Sequence, residues 1–366
     1  MKYNLWREFR NYYREVDKAL FFSVVAMLGF SIINIYGIDG AQSPFLLRQV
    51  IYSLGGIGIM VAVSLFDYRY LKNNSAPALI LMGIALVLLL LTFTSQSIRG
   101  TNAWIIVGGF TLEPSELAKI ALIIVLAKYF SQRHIHINQF RHVVISGFYF
   151  GLPMGIVLNQ PDLGSGIILT AIWLGMLLAA GINKRHLFAL AIAGVLVSYF
   201  AWLFLLAPYQ KARIATFINP EADPRGTGYN LIQSKIAIGS GFWFGNGIGK
   251  GSQSRLGFLP EPHNDFVFAA AVEQFGFIGA GGILGLMFFI AYKILDIGSR
   301  ASNNFGRLFS IGMAIFIFAH VFVSASVNTG IMPVTGIPFS LLSYGGSHML
   351  AIMAGLGLLQ SIKRYG

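Results

Sequence analysis

The chain has 366 residues, of which 55% are hydrophobic and only 11% are charged, and its formal net charge is +12 at pH 7. Soluble domains carry about a quarter charged residues, so this composition excludes a soluble globular protein and indicates an integral membrane protein. The sequence contains no cysteine, which excludes disulfide bonds, thiolate metal sites and a cysteine nucleophile.

Apolar runs predict ten membrane-spanning helices. The first run, from Ala19 to about Tyr36, follows a basic N-terminal stretch. A cleavable signal peptide would have a shorter apolar core and a small-residue cleavage site, so we expect this span to be retained. Nine further runs lie at about 47–66, 76–94, 114–130, 142–158, 163–181, 186–207, 264–292, 308–329 and 346–362. The predicted fold is an all-α polytopic membrane protein, with residues 1–366 forming one transmembrane domain.

The distribution of Lys and Arg over the loops predicts the orientation in the membrane. With a cytoplasmic N-terminus, most basic residues fall in cytoplasmic segments, whereas the short outer loops hold only Arg48 and Arg99. This asymmetry follows the positive-inside rule and supports ten spans with both termini in the cytoplasm. Glu116 and Lys119 lie within the fourth run, and the loss of that span would reverse the side of every later segment.

Residues 208–262 are predicted to form one long outer loop between spans seven and eight. The positive-inside rule does not govern so long a loop, so its excess of basic over acidic residues needs another reason, such as an anionic ligand. The amphipathic stretch from Tyr229 to Ile238 predicts a helix on the bilayer interface. We find no internal repeat that would mark an inverted-repeat transporter. The basic residues are Lys211, Arg213, Arg225, Lys235, Lys250 and Arg255.

The unusual polar residues of the spans are all predicted on the outer side. Glu116 and Lys119 are three residues apart, so they share a helix face and can pair. The order of the spans places the other polar positions at the same level. One polar layer, rather than a scatter across the membrane, indicates binding or chemistry at the outer leaflet. The other positions are Arg48, Asp162, Asp265 and the segment Ser343 to Ser347.

Asp265 is the strongest candidate for a general base. Pro260 and Pro262 end any earlier helix, so Asp265 is expected in the first turn of the eighth span. The apolar residues from Phe266 to Phe268 are expected to raise its proton affinity. The alternative is an acid that only complements the helix macrodipole. Glu273 lies about 12 Å further along the helix, too deep to form a glycosidase pair with Asp265.

The other polar residues have structural interpretations as well. Glu116 and Lys119 could be an ion pair that holds helices together, although charges within a span are costly enough to favour a function. Asp162 could cap the sixth span, and the segment 343–347 could be a tight turn. His263 and His348 are expected to lack companions for a metal site. Three further histidines are predicted as solvated cytoplasmic residues: His134, His136 and His142.

Several stretches match a known family, in order and over nearly the whole chain. They are Gly100 to Ile105, Glu113 to Lys119, Gln160 to Gly164, Gln233 to Gly241, Gly251 to Gln253, Phe258 to Glu261, His263 to Phe268, Pro333 to Pro338 and Ser343 to Ser347. Through them the chain resembles the SEDS family of bacterial cell-wall glycosyltransferases. Two motifs favour the elongation branch over the division branch: the residues Ile238 to Gly241 and the residues Gly251 to Ser254. The lack of a long N-terminal extension favours it as well.

The sequence departs from the family pattern at four positions. Glu113 replaces a common Gln, Pro262 a common Arg, Gln274 a usual Glu, and Phe242 the second Gly of a pair. None of these changes removes the central charged residues. They affect the shape of the outer loop and any role for a charge at position 262.

The resemblance implies that the protein polymerises lipid II, a disaccharide-pentapeptide on undecaprenyl diphosphate, into glycan strands at the outer leaflet. The implied catalytic residues are Asp265 as base, with Glu116 and Lys119. Mg²⁺ or Mn²⁺ held by carboxylates, such as Glu116 and Asp265, would fit the reaction, and no organic cofactor is expected. The implied substrate-binding residues are Arg48, Trp104, Asp162, Lys211, Arg213, His263, Ser343 and Ser347.

The resemblance also implies a location and partners. The location is the bacterial cytoplasmic (inner) membrane, with the active site on the periplasmic side. The partners are a class B penicillin-binding protein that cross-links the product and other membrane proteins of the elongation complex, and no nucleic acid. Two alternative functions are a transporter or flippase of the lipid-linked precursor, since ten spans with buried charge suit alternating access, and a non-catalytic scaffold.

Overall fold

A computed structural model describes residues 15–95, 103–107, 110–132, 139–224, 226 and 228–366 of the chain. Several residues used in the sequence analysis lie outside this described part. They are Arg99, His134, His136, Arg225, the first three residues of the stretch Gly100 to Ile105, and most of the basic N-terminal stretch.

The fold is almost entirely helical. The helices, labelled in chain order, are α1 Lys18–Asp39, α2 Pro44–Leu65, α3 Arg69–Asn73, α4 Ala76–Leu91, α5 Pro114–Ser131, α6 Phe140–Asn159, α7 Leu163–Ala180, α8 Lys184–Phe200, α9 Pro208–Ile218, α10 Tyr229–Ser240, α11 Ser252–Arg255, α12 Val267–Ser299, α13 Asn304–Thr329 and α14 Gly346–Tyr365. Short 3₁₀ turns occupy Thr92–Thr94 and Pro220–Ala222, and a π-helical turn extends α8 over Ala201–Leu205.

Eight helices in the described part of the chain are long and apolar enough to span a membrane: α1, α2, α4, α6, α7, α8, α12 and α13. The two remaining predicted spans correspond to α5 and α14, which have 18 and 20 residues. A helix of 20 residues is about 30 Å long, so their length suits a span as well. Their higher polar content separates them from the other eight, and ten spans remain a prediction.

One small element departs from the all-α prediction. Strands β1, Ile105–Val107, and β2, Phe110–Leu112, form an antiparallel hairpin in which Ile105 pairs with Leu112. Strands of three residues are too short to show a period-2 pattern, so no sequence pattern predicted them. The hairpin leads directly into α5.

Helix α5 occupies the centre of the bundle. Almost all of its residues are buried, and it contacts α4, α6, α7, α13 and α14. Helix α8 is the opposite case, because none of its described residues is buried, although it is strongly apolar. Such an arrangement suits a membrane protein, in which apolar peripheral faces contact lipid while polar residues turn inward.

The segment 208–262 is ordered by contacts with α12. The Glu273 carboxylate, fully buried, accepts hydrogen bonds from the backbone N–H groups of Gln253 (2.7 Å) and Ser254 (2.9 Å). Helix α12 kinks at Gly276, whose φ of 68° favours glycine. Helix α10 packs on α12 and α13 with its Leu231 and Ala237 buried. The segment 208–262 is therefore structured, and the Glu273 carboxylate helps to hold it against α12.

Asp265 precedes the helix in which the sequence analysis placed it. Helix α12 begins at Val267, so Asp265 belongs to the turn before it. Asn328 of α13 fixes this turn: its side-chain N–H₂ donates to the Asp265 carbonyl (2.7 Å), and its side-chain oxygen accepts from the Ala269 N–H (2.9 Å). The hydrogen bonds hold Asp265 against α13.

Candidate active site

Two cavities that share a wall form the candidate active site. The first, of about 130 Å³, is lined by Glu116, Lys119, Asp162, Arg213 and His320 among others. The second, of about 250 Å³, is lined by residues that include Asn264, Ser347 and His348. The residues lining both are Trp104, Glu113, Asp265, Gly336 and Pro338. The structure thus brings most of the predicted site residues to one place.

A buried ion pair forms the floor of the site. Pro114 starts α5, which places Glu116 in its first turn and Lys119 one turn later. Lys119 Nζ lies 2.7 Å from Glu116 Oε1, and each side chain is only 1% exposed. The second oxygen, Glu116 Oε2, lies 2.9 Å from His348 Nδ1 on α14. The predicted pairing of Glu116 with Lys119 is confirmed, and a histidine joins it.

Two histidines lie side by side next to this pair. The rings of His320, on α13, and His348 have centroids 4.3 Å apart. One nitrogen of each ring and one carboxylate oxygen of Glu116 lie within 4.8 Å of one another, so these three residues could hold a metal ion. The prediction that His348 has no companions for a metal site was therefore wrong. The sequence did not reveal this group, because Glu116, His320 and His348 come from three different helices and are far apart in the chain.

His320 was missed as a site residue by the sequence analysis. It lies in the middle of the apolar helix α13 and is fully buried. An ionisable residue within a membrane span is a functional candidate by default, and this signal was available in the sequence.

Asp265 lines both cavities and is half-buried. The following residues, Phe266 and Phe268, are 1% and 5% exposed. Gly336 lines both cavities too, and a Cβ added to it would lie in van der Waals contact with Asp265 Oδ2, at 4.0 Å. Asp265 therefore lines the cavities at the point where the chain enters the apolar core.

Asp162 combines two roles. It is the N-cap of α7, and its Oδ1 accepts a hydrogen bond from the Ser165 N–H (3.0 Å). The capping interpretation is therefore confirmed, while the same residue also lines the first cavity.

Arg213, Trp104 and Ser347 reach the cavities from three other segments. Arg213, on α9, is exposed and stacks over the Tyr209 ring at 5.7 Å. Ser347 Oγ donates to the Thr111 carbonyl (2.9 Å) and accepts from the Glu113 N–H (3.0 Å). Ser347 thus ties α14 to the hairpin beside α5.

Four predicted site residues do not line either cavity. Arg48 is hydrogen-bonded to Tyr344, which does line the second cavity. Lys211 lies 5.9 Å from the centroid of the Trp202 ring. The remaining two hold loops together. His263 Nε2 lies 2.7 Å from Asp39 Oδ2, and Ser343 Oγ donates to the Asn264 carbonyl (2.8 Å) and accepts from the Phe339 N–H (2.8 Å).

Glu113 is a further titratable group of the site. Burial, and after it the neighbouring Glu116 carboxylate, raise the pKa of Glu113 from its usual 4.5 to about 7, against the opposing effect of Lys119. Ser115 Oγ donates a hydrogen bond to its Oε1 (2.7 Å). Near neutral pH this carboxyl is present in both its neutral and its charged form.

We expect Glu113→Gln to stabilise the protein at high pH only. Because the pKa of Glu113 is higher in the folded than in the unfolded chain, the folded state loses stability as the pH rises from about 4.5 through about 7. Glutamine keeps the acceptor for Ser115 without this penalty. Thermal unfolding in detergent should show a higher Tm for the variant at pH 8.5, by about 2–4 °C for each kcal/mol regained, and no difference at pH 4.5. An equal difference at both pH values would contradict the assignment.

Comparison with known proteins agrees with this architecture. The family of cell cycle proteins FtsW, RodA and SpoVE matches residues 10–366. The chain belongs to this family. Peptidoglycan glycosyltransferase MrdB of Escherichia coli K12 is 35% identical over 353 residues, which cover 96% of this chain and 94% of that protein. A probable peptidoglycan glycosyltransferase FtsW of Trichlorobacter lovleyi is also 35% identical, over 95% of this chain and 93% of its own.

A solved structure shares the fold of this FtsW/RodA/SpoVE family member. It belongs to a study of the structural coordination of polymerization and crosslinking by a peptidoglycan synthase complex, and the similar chain is 31% identical with a TM-score of 0.81. The match covers 95% of this chain and 98% of that one. The resemblance inferred from the motifs is confirmed.

Proposed function

We propose that the protein is a peptidoglycan glycosyltransferase that polymerises lipid II into glycan strands at the outer leaflet of the cytoplasmic membrane. Membership of the FtsW/RodA/SpoVE family supports the reaction class. The observation that carries the assignment of residues is the shared site, where the Asp265 carboxylate and the buried Lys119 line one cavity. A transporter or flippase is not favoured by these similarities.

Asp265 is the proposed general base. In each cycle a hydroxyl oxygen of the acceptor sugar forms a bond to the anomeric carbon of the donor, and the bond from that carbon to the diphosphate oxygen breaks. The hydroxyl proton passes to Asp265, and the electron pair of the broken bond leaves with the lipid diphosphate. A diphosphate is a good leaving group, so no general acid is needed and one carboxylate suffices.

Lys119 and Arg213 are the proposed partners of the leaving diphosphate. Both line the first cavity with Asp265, whereas the other predicted cations, Arg48 and Lys211, do not. The Lys119 ammonium has three donors and spends one on Glu116, so it can donate to a phosphate oxygen as well. Glu116 keeps this buried ammonium charged and in place.

The proposed topology has ten spans and places the site on the periplasmic side. The loop charges support it, because Lys and Arg are concentrated in the segments that it assigns to the cytoplasm. In this topology α5 and α14 are short, more polar spans that pack inside the bundle. They carry Glu116 and His348. The lipid tail of the substrate explains why the site lies within a bundle of membrane helices.

We further propose a role in cell elongation, together with a class B penicillin-binding protein that cross-links the product. The elongation assignment rests on the amino-acid sequences of two motifs, Ile238 to Gly241 and Gly251 to Ser254. Support for the partner comes from the similar chain in a structure of a peptidoglycan synthase complex.

The decisive experiment is polymerisation by the purified protein. In detergent there is no second compartment, so a flippase would give no product, whereas the proposed enzyme should convert labelled lipid II to glycan strands resolved on gels. The assay is run with and without the penicillin-binding protein, and with a β-lactam that blocks cross-linking. If no polymer forms in either condition, the enzyme proposal fails.

A further inference from the structure

One buried nitrogen of the site has no hydrogen-bond partner. His320 Nδ1 lies 3.1 Å from the Pro338 carbonyl oxygen, which can only accept, so Nδ1 of the neutral ring carries the proton and Nε2 presents its lone pair. Among the described residues, no group bonds to Nε2, which is fully buried. A buried acceptor without a hydrogen-bond partner is unfavourable, and its lone pair is available to a ligand.

The neighbours of this nitrogen are ligand atoms for a metal. Glu116 and His348 each offer one atom, and the three ligand atoms lie within 4.8 Å of one another. In a tetrahedral site with bonds of about 2.0–2.1 Å the ligand atoms lie roughly 3.3 Å apart, so small side-chain rotations close the group. Three protein ligands leave a coordination position open, which is typical of catalytic rather than structural metal sites.

The charge around the group favours a divalent cation. The first cavity is lined by four carboxylates, those of Glu113, Glu116, Asp162 and Asp265, against the two cations Lys119 and Arg213. Lys119 bonds to the Oε1 oxygen of Glu116, so a metal ion on Oε2 would leave this ion pair in place and would replace the hydrogen bond between Oε2 and His348 Nδ1. The negative charge is in excess whether Glu113 is ionised or neutral, and a dication offsets it.

We propose that Glu116, His320 and His348 bind one divalent first-row transition-metal ion, with its open position facing the two cavities. Two imidazoles and one carboxylate suit such an ion better than Mg²⁺, which prefers oxygen ligands. The site differs from the carboxylate pair Glu116 and Asp265 expected from the sequence. Resting on the proposed function, the ion would bind an oxygen of the lipid diphosphate and stabilise the negative charge that develops as it leaves.

Metal binding can be tested without turnover. The protein, purified with a histidine-free tag and stripped with chelator, is titrated with Co²⁺, whose visible absorption reports the ligand field, and with Zn²⁺ by calorimetry. We expect one equivalent to bind, and a 100-fold excess of Mg²⁺ not to displace it. His320→Asn keeps a donor for the Pro338 carbonyl but lacks Nε2, so it should weaken binding by more than the ~10–100-fold that loss of an outer-shell partner costs.

His142→Asn is the matched control. His142 is also buried, although the sequence predicted a solvated residue, and it bonds to Tyr129. The substitution should leave the affinity unchanged. His348→Asn should behave like His320→Asn, and melting curves establish that both variants fold. Wild-type affinity in His320→Asn, or no Co²⁺ bound by the wild type, would overturn the proposal.

Asp265→Asn separates this inference from the proposed function. The variant should still bind one Co²⁺ while making no glycan. If the wild type polymerises lipid II but binds no ion, only the metal site fails; if it binds the ion but makes no polymer, only the enzyme assignment fails.

Discussion

The Asp265→Asn variant is expected to retain its fold and to lose glycan polymerisation, with a rate lower by about 10²–10⁴-fold, the range contributed by a general base. Asparagine has the same shape as aspartate but cannot take the acceptor proton. The position of residue 265 is held by its backbone, because Asn328 donates to its carbonyl, so the substitution leaves the turn intact.

The rate is measured with labelled lipid II in detergent, from the appearance of polymer over time. Asp296→Asn is the control, because it makes the same chemical change near the far end of the same helix, where Asp296 pairs with Lys293 and Arg300. The control should polymerise at the wild-type rate. Polymer from Asp265→Asn at that rate would remove Asp265 as the base and leave the site without one.

The apolar runs located the long helices to within a few residues. The fourth run, 114–130, became α5, Pro114–Ser131, and the sixth, 163–181, became α7, Leu163–Ala180. Helix α12 is the main exception, because it continues to Ser299 beyond the predicted end at 292. Its last turns contain charged residues, among them Lys293 and Asp296, which pair at 3.2 Å. The helix therefore extends beyond the apolar run from which it was predicted.

The chemistry of the site was only partly readable from the sequence. Helical spacing predicted that Glu116 would meet Lys119, because both lie on one helix. The contact of Glu116 with His348 joins residues 232 positions apart, and no periodicity reports such a distance. The order of the spans likewise gives the level of a residue in the membrane but not its place within that plane. For this reason Arg48 and His263 were grouped with the site although they do not line its cavities.

The Lys119→Met variant is expected to be both unstable and inactive, and a second substitution should separate the two effects. Removing Lys119 leaves the buried Glu116 carboxylate without its cation, with only the contact to His348, and the loss of one partner of a buried ion pair costs about 3–5 kcal/mol. It also removes the proposed partner of the diphosphate, and loss of one electrostatic contact to a developing charge lowers rates by about 10²–10³-fold.

The double variant Glu116→Gln, Lys119→Met decides between a structural and a functional role for the pair. Glutamine is neutral, so no unpaired charge remains buried, and it can still accept a hydrogen bond from His348. The double variant should therefore regain most of the melting temperature that Lys119→Met loses. Activity should stay low, because neither the diphosphate contact nor the carboxylate is restored. The polymerisation rate is measured at increasing donor concentration and a fixed concentration of labelled glycan acceptor. The variants should show weaker use of the donor. Recovery of both stability and activity would mean that the pair only holds helices together, because a pair needed for catalysis cannot be replaced by neutral residues.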